Sequence, residues 1–254
     1  MNYNKVLNIP DRLIYNVRVT KAFFMLHFDL TKSDKIVLNN EIQSIKWLAS
    51  IKPSNSNIAS EINETYNFEE IQVIVCTLKG LGLTQFGDKC VQLIQRHIPY
   101  PILLVVEDED NFIVNTCDKR INQNDNNKRT IEKYISTPIL TKLYKDELVS
   151  ALFEGLNFTE LDKTNLETVY KSYIKAIVNY QTSLVTGNIQ IRNHIRTTDD
   201  MKQLERINSL EKEINKLSNQ IKKESQFNNK LNLNLEIQKH KKEIESIKNK
   251  LGEV

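Results

Sequence analysis

Apolar positions along the chain switch between the two-residue period of strands and the three-to-four-residue period of helices, and the switches mark out its elements. From Thr20 to Leu30 the run TKAFFMLHFDL mixes aromatic and aliphatic residues without strict alternation, which predicts a short buried helix. Ser33 is a candidate N-cap for DKIVLNNEIQ, with Asp34 in the first turn, where the helix dipole favours an acid. Ile45, Trp47, Ala49 and Ile51 then alternate with Ser44, Lys46, Leu48 and Ser50, a strand that Pro53 stops. Ile71 to Thr77 is nearly continuous in its apolar content, as expected of a central strand buried on both faces. Gly80 and Gly82 punctuate its end.

Phe86, Cys90, Leu93, Ile94 and His97 return to helical spacing, and Pro99 and Pro101 close that helix. ILLVVED and FIVNTC flank EDEDN, the pattern of a hairpin whose acidic tip faces water. The polar NQNDNNK reads as a loop, and TIEKYISTPI after it as an edge-like strand. Thr164 to Glu167 spells a capping box for a helix that places Leu166, Val169, Tyr170, Tyr173, Ile174, Ile177 and Val178 on one face.

Toward the C-terminus, Asp200 with Gln203 can start a further helix. Ile207, Leu210, Ile214, Leu217 and Ile221 alternate spacings of three and four, a heptad seam. The seam breaks across Glu224 to Asn229 and resumes in another phase at Ile237, His240, Ile244, Ile247 and Leu251. A continuous helix with a phase shift and a helical hairpin both explain the break, and the lack of Gly or Pro there favours the continuous helix. The expected fold is therefore α+β: a mixed sheet of about five strands with packing helices, followed by a coiled-coil helical tail. Its boundaries are a globular domain over 1–185, a junction over 186–199 and the tail over 200–254.

Composition sharpens this only in part. At 254 residues and 40% hydrophobic content the chain can bury one sizeable core plus an appendage. The charge is nearly balanced, 35 Lys and Arg against 32 Asp and Glu, but the tail from Met201 holds 12 of the former and 8 of the latter, leaving 23 against 24 before it. All of the basic excess thus lies in the tail. The opening MNYNKVLNIPDR lacks a charged segment leading into an apolar one, and the apolar run Ile102 to Val106 is far short of the ~20 residues a membrane span needs, so a cytoplasmic protein without membrane contact is expected. Cys76, Cys90 and Cys117 are odd in number and set among apolar residues, which suggests reduced, buried thiols.

No Walker loop, dinucleotide fingerprint, HExxH, CxxC pair or GxSxG elbow occurs, so neither a cofactor nor a metal is implied. His27, His97, His194 and His240 are scattered without ligand spacing and read as structural or solvated. The best catalytic candidate is a divalent-metal nuclease centre of Glu64, Glu70, Gln72 and Lys79 around the central strand, because such centres need strand-borne carboxylates and a group that orients water. Against it, Gln72 stands where a Lys is usual and Lys79 lies far along the strand. Cys76 lacks any neighbour that would lower its pKa. Lys222, Lys223, Lys230, Lys239, Lys241 and Lys242 are candidate nucleic-acid contacts, with a solvated helix face as the plainer meaning of interleaved Lys and Glu.

Four segments carry a resemblance that spans almost the whole chain: WLxxIxPxxxNI (Trp47 to Ile58), EIxVxxxxLK (Glu70 to Lys79), IPxPILLV (Ile98 to Val105) and ExQFNxKxxxN (Glu224 to Asn234). Together they resemble the bacterial family catalogued as domain of unknown function 4391. The sequence departs from the family pattern at Tyr100, where a His is common, and in TIEKYISTPI, where a Trp is often found. The resemblance implies no established activity. It does imply an accessory protein of restriction-like, phage-defence loci, with a helicase or DNA methyltransferase as protein partner. The expected function is a non-catalytic interaction subunit that pairs, with a partner helix or a second copy, through Ile207, Leu210, Ile214, Leu217, Ile221, Gln226, Phe227 and Asn228. Phe227 itself is expected to pack into a bend of the tail or against the globular domain, since burying its ring is worth roughly 1.5–3 kcal/mol; an exposed docking point is the alternative.

Overall fold

In chain order the elements are α1 (Tyr3–Val6), β1 (Ile14–Val19), α2 (Lys21–His27), α3 (Lys32–Ile36), β2 (Ile42–Ile51), α4 (Pro53–Ser56), β3 (Glu61–Ile62), β4 (Asn67–Phe68), β5 (Ile71–Leu78), α5 (Leu83–His97), β6 (Ile102–Glu107), β7 (Asn111–Asn122), β8 (Asp125–Ser136), β9 (Leu140–Thr141), α6 (Glu147–Gly155), α7 (Leu166–Thr186), α8 (His194–Lys223) and α9 (Phe227–Gly252). They come from a computed structural model that describes residues 1–144, 146–189, 192 and 194–253, without the side chains of Asn126, Asn127, His194 and Ile195. Two units result, Met1–Ile177 and Val178–Val254. Among the described residues no helix is long and apolar enough to cross a membrane.

The class is mixed α+β as expected, but the sheet is larger than five strands: its order is β1-β2-β5-β6-β7-β8, with β9 also paired to β7. Among the described residues only β5 and β6 run parallel, joined through α5; the other pairs are antiparallel. The near-continuous apolar run of β5 is explained by its place, flanked by β2 and β6, where every residue but Thr77 is buried. Ile74, Cys76, Leu104 and Val106 pack one face of the sheet against Leu83, Cys90, Val91 and Ile94 of α5 and Phe24 of α2. The opposite face carries Phe112, stacked on Phe153 of α6 at 5.7 Å. Tyr170 of α7 accepts the Cys117 N–H at 2.9 Å and donates to the Cys117 carbonyl at 2.8 Å, so this buried phenol spends its hydroxyl on β7.

Several expectations are corrected. The helix within Thr20–Leu30 exists, yet only Phe24 of α2 is buried, while Phe23, Met25 and Leu26 are exposed. Helix α3 starts earlier than expected: Thr31, not Ser33, is its N-cap, in a reciprocal box with Asp34. The Asn-rich loop is instead the two-residue tip of a long β7–β8 hairpin, because Asn122 Oδ1 accepts the N–H groups of Asn124 (2.8 Å) and Asp125 (3.2 Å) and turns the chain at once. Strand β8 does lie at the sheet edge. At α7 the box is one residue later, with Asn165 Oδ1 accepting from the Thr168 N–H (2.9 Å) and Thr168 Oγ1 from the Asn165 N–H (3.2 Å).

In the second unit α7 ends at Thr186, before Gly187 at φ +77°, and Gln190, Ile191 and Asn193 of the expected junction lie outside the described residues. Helix α8 begins at His194, so Asp200 stands inside it and does not cap it. The tail is two antiparallel helices, which overturns the continuous-helix preference: Arg206 pairs with Glu243 at 2.7 Å and Glu213 with His240 at 3.4 Å. Leu204, Ile207 and Leu210 of α8 and Ile237, Ile244, Ile247 and Leu251 of α9 are buried. The seam of α8 is thus turned onto the second apolar phase of the same chain. Arg192 and Arg196 close the open end of the hairpin, donating to the carbonyls of Leu251, Glu253 and Lys250 at the C-terminus of α9, where helix dipoles favour cations. Buried Asp200 balances both, 3.3 Å from each guanidinium.

Candidate functional site

The alternation that faces Trp47 and Ile74 toward α2 also leaves a gap between them. There, Val17 and Val19 of β1, Trp47 of β2, and Gln72 and Ile74 of β5 form the floor of a cavity of about 460 Å³. Phe23, Phe24 and Phe28 make one wall, and Ile98, Pro99 and Tyr100 the other. Trp47 is stacked on Tyr15 at 5.0 Å, and its indole N–H is already given to the Ala49 carbonyl (3.0 Å). Val17 is 50% and Phe23 46% exposed, which puts the mouth between β1 and α2. Three of the four segments that carry the family resemblance meet here, through Trp47, Gln72 and the run Ile98 to Tyr100.

Few polar groups reach this space. Gln72, buried, donates from Nε2 to Glu70 (3.2 Å), and among the described residues its amide oxygen accepts no hydrogen bond. Glu70 also accepts from Ser50 Oγ (2.7 Å) and lies 3.7 Å from Lys52 Nζ. Burial first, and then the charges of Glu70 and Glu69, push the Tyr100 phenol up. At the other end Lys21 and Lys79 both donate to the Asn39 carbonyl, at 3.0 and 3.5 Å. Burial, with Lys79 and Arg18 nearby, holds the Lys21 ammonium below the usual lysine range. The wall of Ile98 to Tyr100 is fixed from behind by Lys119, a buried strand residue whose Nζ donates to the carbonyls of Ile98 and Tyr100, both at 2.9 Å. Burial brings its pKa down to about 7.

The residues singled out from sequence separate. Glu64 is exposed in the turn between β3 and β4, Glu70 and Gln72 adjoin the cavity, and exposed Lys79 follows the opposite end of β5. Eight strand residues at ~3.3 Å each therefore stand between Glu70 and Lys79, too far for one metal-held water. Among the described residues no group of three or more His, Cys, Asp or Glu is placed to hold a metal ion. The thiols of Cys76 and Cys90 touch at 3.1 Å, free and buried, and burial pushes Cys76 well above the usual thiol range and Cys117 up to about 12.

The acidic hairpin is not simply a solvated tip. Asp108 is buried and accepts the Leu83 N–H at the start of α5 (3.0 Å), and Glu107 holds Tyr3 and Lys142, each at 2.8 Å. His27 packs on Phe23, His97 lies 3.8 Å from Asp34, His240 pairs with Glu213, and the His194 side chain lies outside the described residues.

In the hairpin, Ile207 and Leu210 are buried and Ile214, Leu217 and Ile221 half-buried by α9, so the expected partner seam is occupied from within. Phe227 is 77% exposed, contrary to the packing expected of it. Glu224 shapes the bend in its place: its carboxylate accepts from the N–H groups of Ser225 and Gln226 and from the Asn229 amide, which also donates to Gln226. Phe227, Leu231 and Leu235 form an exposed i, i+4, i+8 stripe that runs on into Lys239 and Lys242. Lys222, Lys223, Lys239, Lys241 and Lys242 are exposed and Lys230 half-buried, none in an ion pair among the described residues.

No curated protein and no solved structure matches the chain. One family model, described as a domain of unknown function (DUF4391), does match, over residues 7–244, which includes the cavity and most of the hairpin, and the chain belongs to that family.

Proposed function

We propose that the protein is a non-catalytic accessory subunit of a bacterial DNA-processing system of the restriction-like, phage-defence kind. It holds its protein partner, a helicase or methyltransferase, through the outer face of α9. The observation that carries this reading is the exposed Phe227, Leu231 and Leu235 stripe: three large apolar side chains on one helical face stay in water, although burying each is worth roughly 1.5–3 kcal/mol. The scattered catalytic candidates and the family resemblance agree with it. Phe227→Asp with Leu231→Asp should abolish retention of the neighbour-encoded enzyme in a purified co-expression and leave the melting temperature of the isolated chain unchanged. A monomeric wild-type chain that retains none of these enzymes defeats the proposal. A second reading, nucleic-acid contact by the tail, is supported by its unpaired lysines. In the same preparation it would show as DNA binding that falls steeply with salt, and absence of binding at low salt removes it.

A further inference from the structure

The cavity of the first unit is independent of the α9 stripe and has a chemistry of its own. Its lining is mostly aromatic and aliphatic, with exposed Arg18 and Thr20 also on it, and the buried Gln72 offers one amide oxygen without a donor among the described residues. A ligand that fits must therefore be a flat apolar body with one hydrogen-bond donor. A purine base is a poorer match, because its three ring acceptors would lose water and find donors chiefly at the exposed Arg18, each atom left unpaired weakening binding by roughly tenfold. Indole matches: one N–H and otherwise carbon. Outside the mouth, β1 is the last strand of its sheet, so a peptide lying along it meets free backbone groups. Arg18 of the lining and the adjoining Lys21 have no carboxylate in ion-pair range among the described residues.

We propose that this cavity receives the indole of a tryptophan carried by an acidic segment of a protein partner. The ring lies among Trp47, Phe24 and Phe28, its N–H donates to Gln72, and acidic neighbours meet Arg18 and Lys21. The test uses the full chain and peptides of sequence Asp-Trp-Asp, Lys-Trp-Lys and Asp-Phe-Asp with blocked ends, together with N-acetyltryptophanamide and adenosine, followed by ligand-observed NMR. The acidic tryptophan peptide is expected to bind at least tenfold more tightly than the lysine peptide, the free amide or adenosine. Gln72→Leu should weaken the tryptophan peptide about tenfold and leave the phenylalanine peptide unchanged, which also reports that the variant is folded. The Phe227→Asp chain should bind as the wild type does, so failure of the tail reading leaves this one standing. Adenosine binding as tightly as the peptide, N-acetyltryptophanamide binding as tightly as the peptide, equal losses for both peptides in Gln72→Leu, or no binding at millimolar peptide each overturns it.

Discussion

Lys119 shows how one side chain couples the interior to the cavity. Its ammonium donates to the Ile98 and Tyr100 carbonyls from a buried position, and burial lowers its pKa to about 7. Between that value and the ordinary lysine range the unfolded chain binds more protons than the folded one, so stability rises with pH. The slope approaches about 1.4 kcal/mol per pH unit. Unfolding by urea should therefore show increasing stability from about pH 7 to about 8.5, above which Cys76 and Cys117, whose thiols ionise more readily once exposed, reverse the trend. Lys119→Met should flatten this rise, and an unchanged slope would show that Lys119 is not its source. In the sequence Lys119 is one more charge on a strand. Nothing in the period of its neighbours says that this lysine turns inward, just as nothing in EDED says that Asp108 caps α5 while Glu109 stays in water. Burial of a charge is decided by what other elements bring to it.

Elements were far more legible than their ends. The α7 face, the central β5 and the α5 helix follow directly from apolar spacing, because each buries a periodic stripe. The caps drifted by one or two residues where several hydroxyl and amide side chains stand together. At α7 the tie is broken from outside the helix: the Leu166 N–H goes to the Ala59 carbonyl (2.8 Å), which leaves Asn165 to cap and Thr164 to bond Asp162. Asn165→Ala should lower unfolding free energy by about 1 kcal/mol, and Thr164→Ala should stay within about 0.5 kcal/mol of wild type. The reverse order in urea titrations would return the cap to Thr164. The tail illustrates the same limit. Both seams could be read from spacing, but the bend between them could not, since it is made by Glu224 accepting backbone N–H groups, with no Gly or Pro to mark it.

At the scale of the molecule, what the sequence lacks is strand order. The cavity joins Val17, Trp47, Gln72 and Tyr100, which become neighbours only because β1 adds to β2 and β2 to β5; no local pattern announces that. The division into two units has a sharper consequence. Met1–Ile177 buries its own sheet core, and in Val178–Val254 the α8–α9 hairpin buries its own seam. A charge placed in one core should therefore unfold that core alone. Ile207 is 4% exposed at the centre of the hairpin seam, and an aspartate there would be buried without a partner, costing several kcal/mol. That is enough to open a two-helix element, whose stability comes mostly from packing of its apolar faces. In Ile207→Asp the amides of α8 and α9 should exchange with deuterium at rates close to those of an unfolded chain, while those of β5 and β6 keep their protection. If β5 and β6 lose protection to the same extent, the chain unfolds as one cooperative body and the two units are not energetically separate.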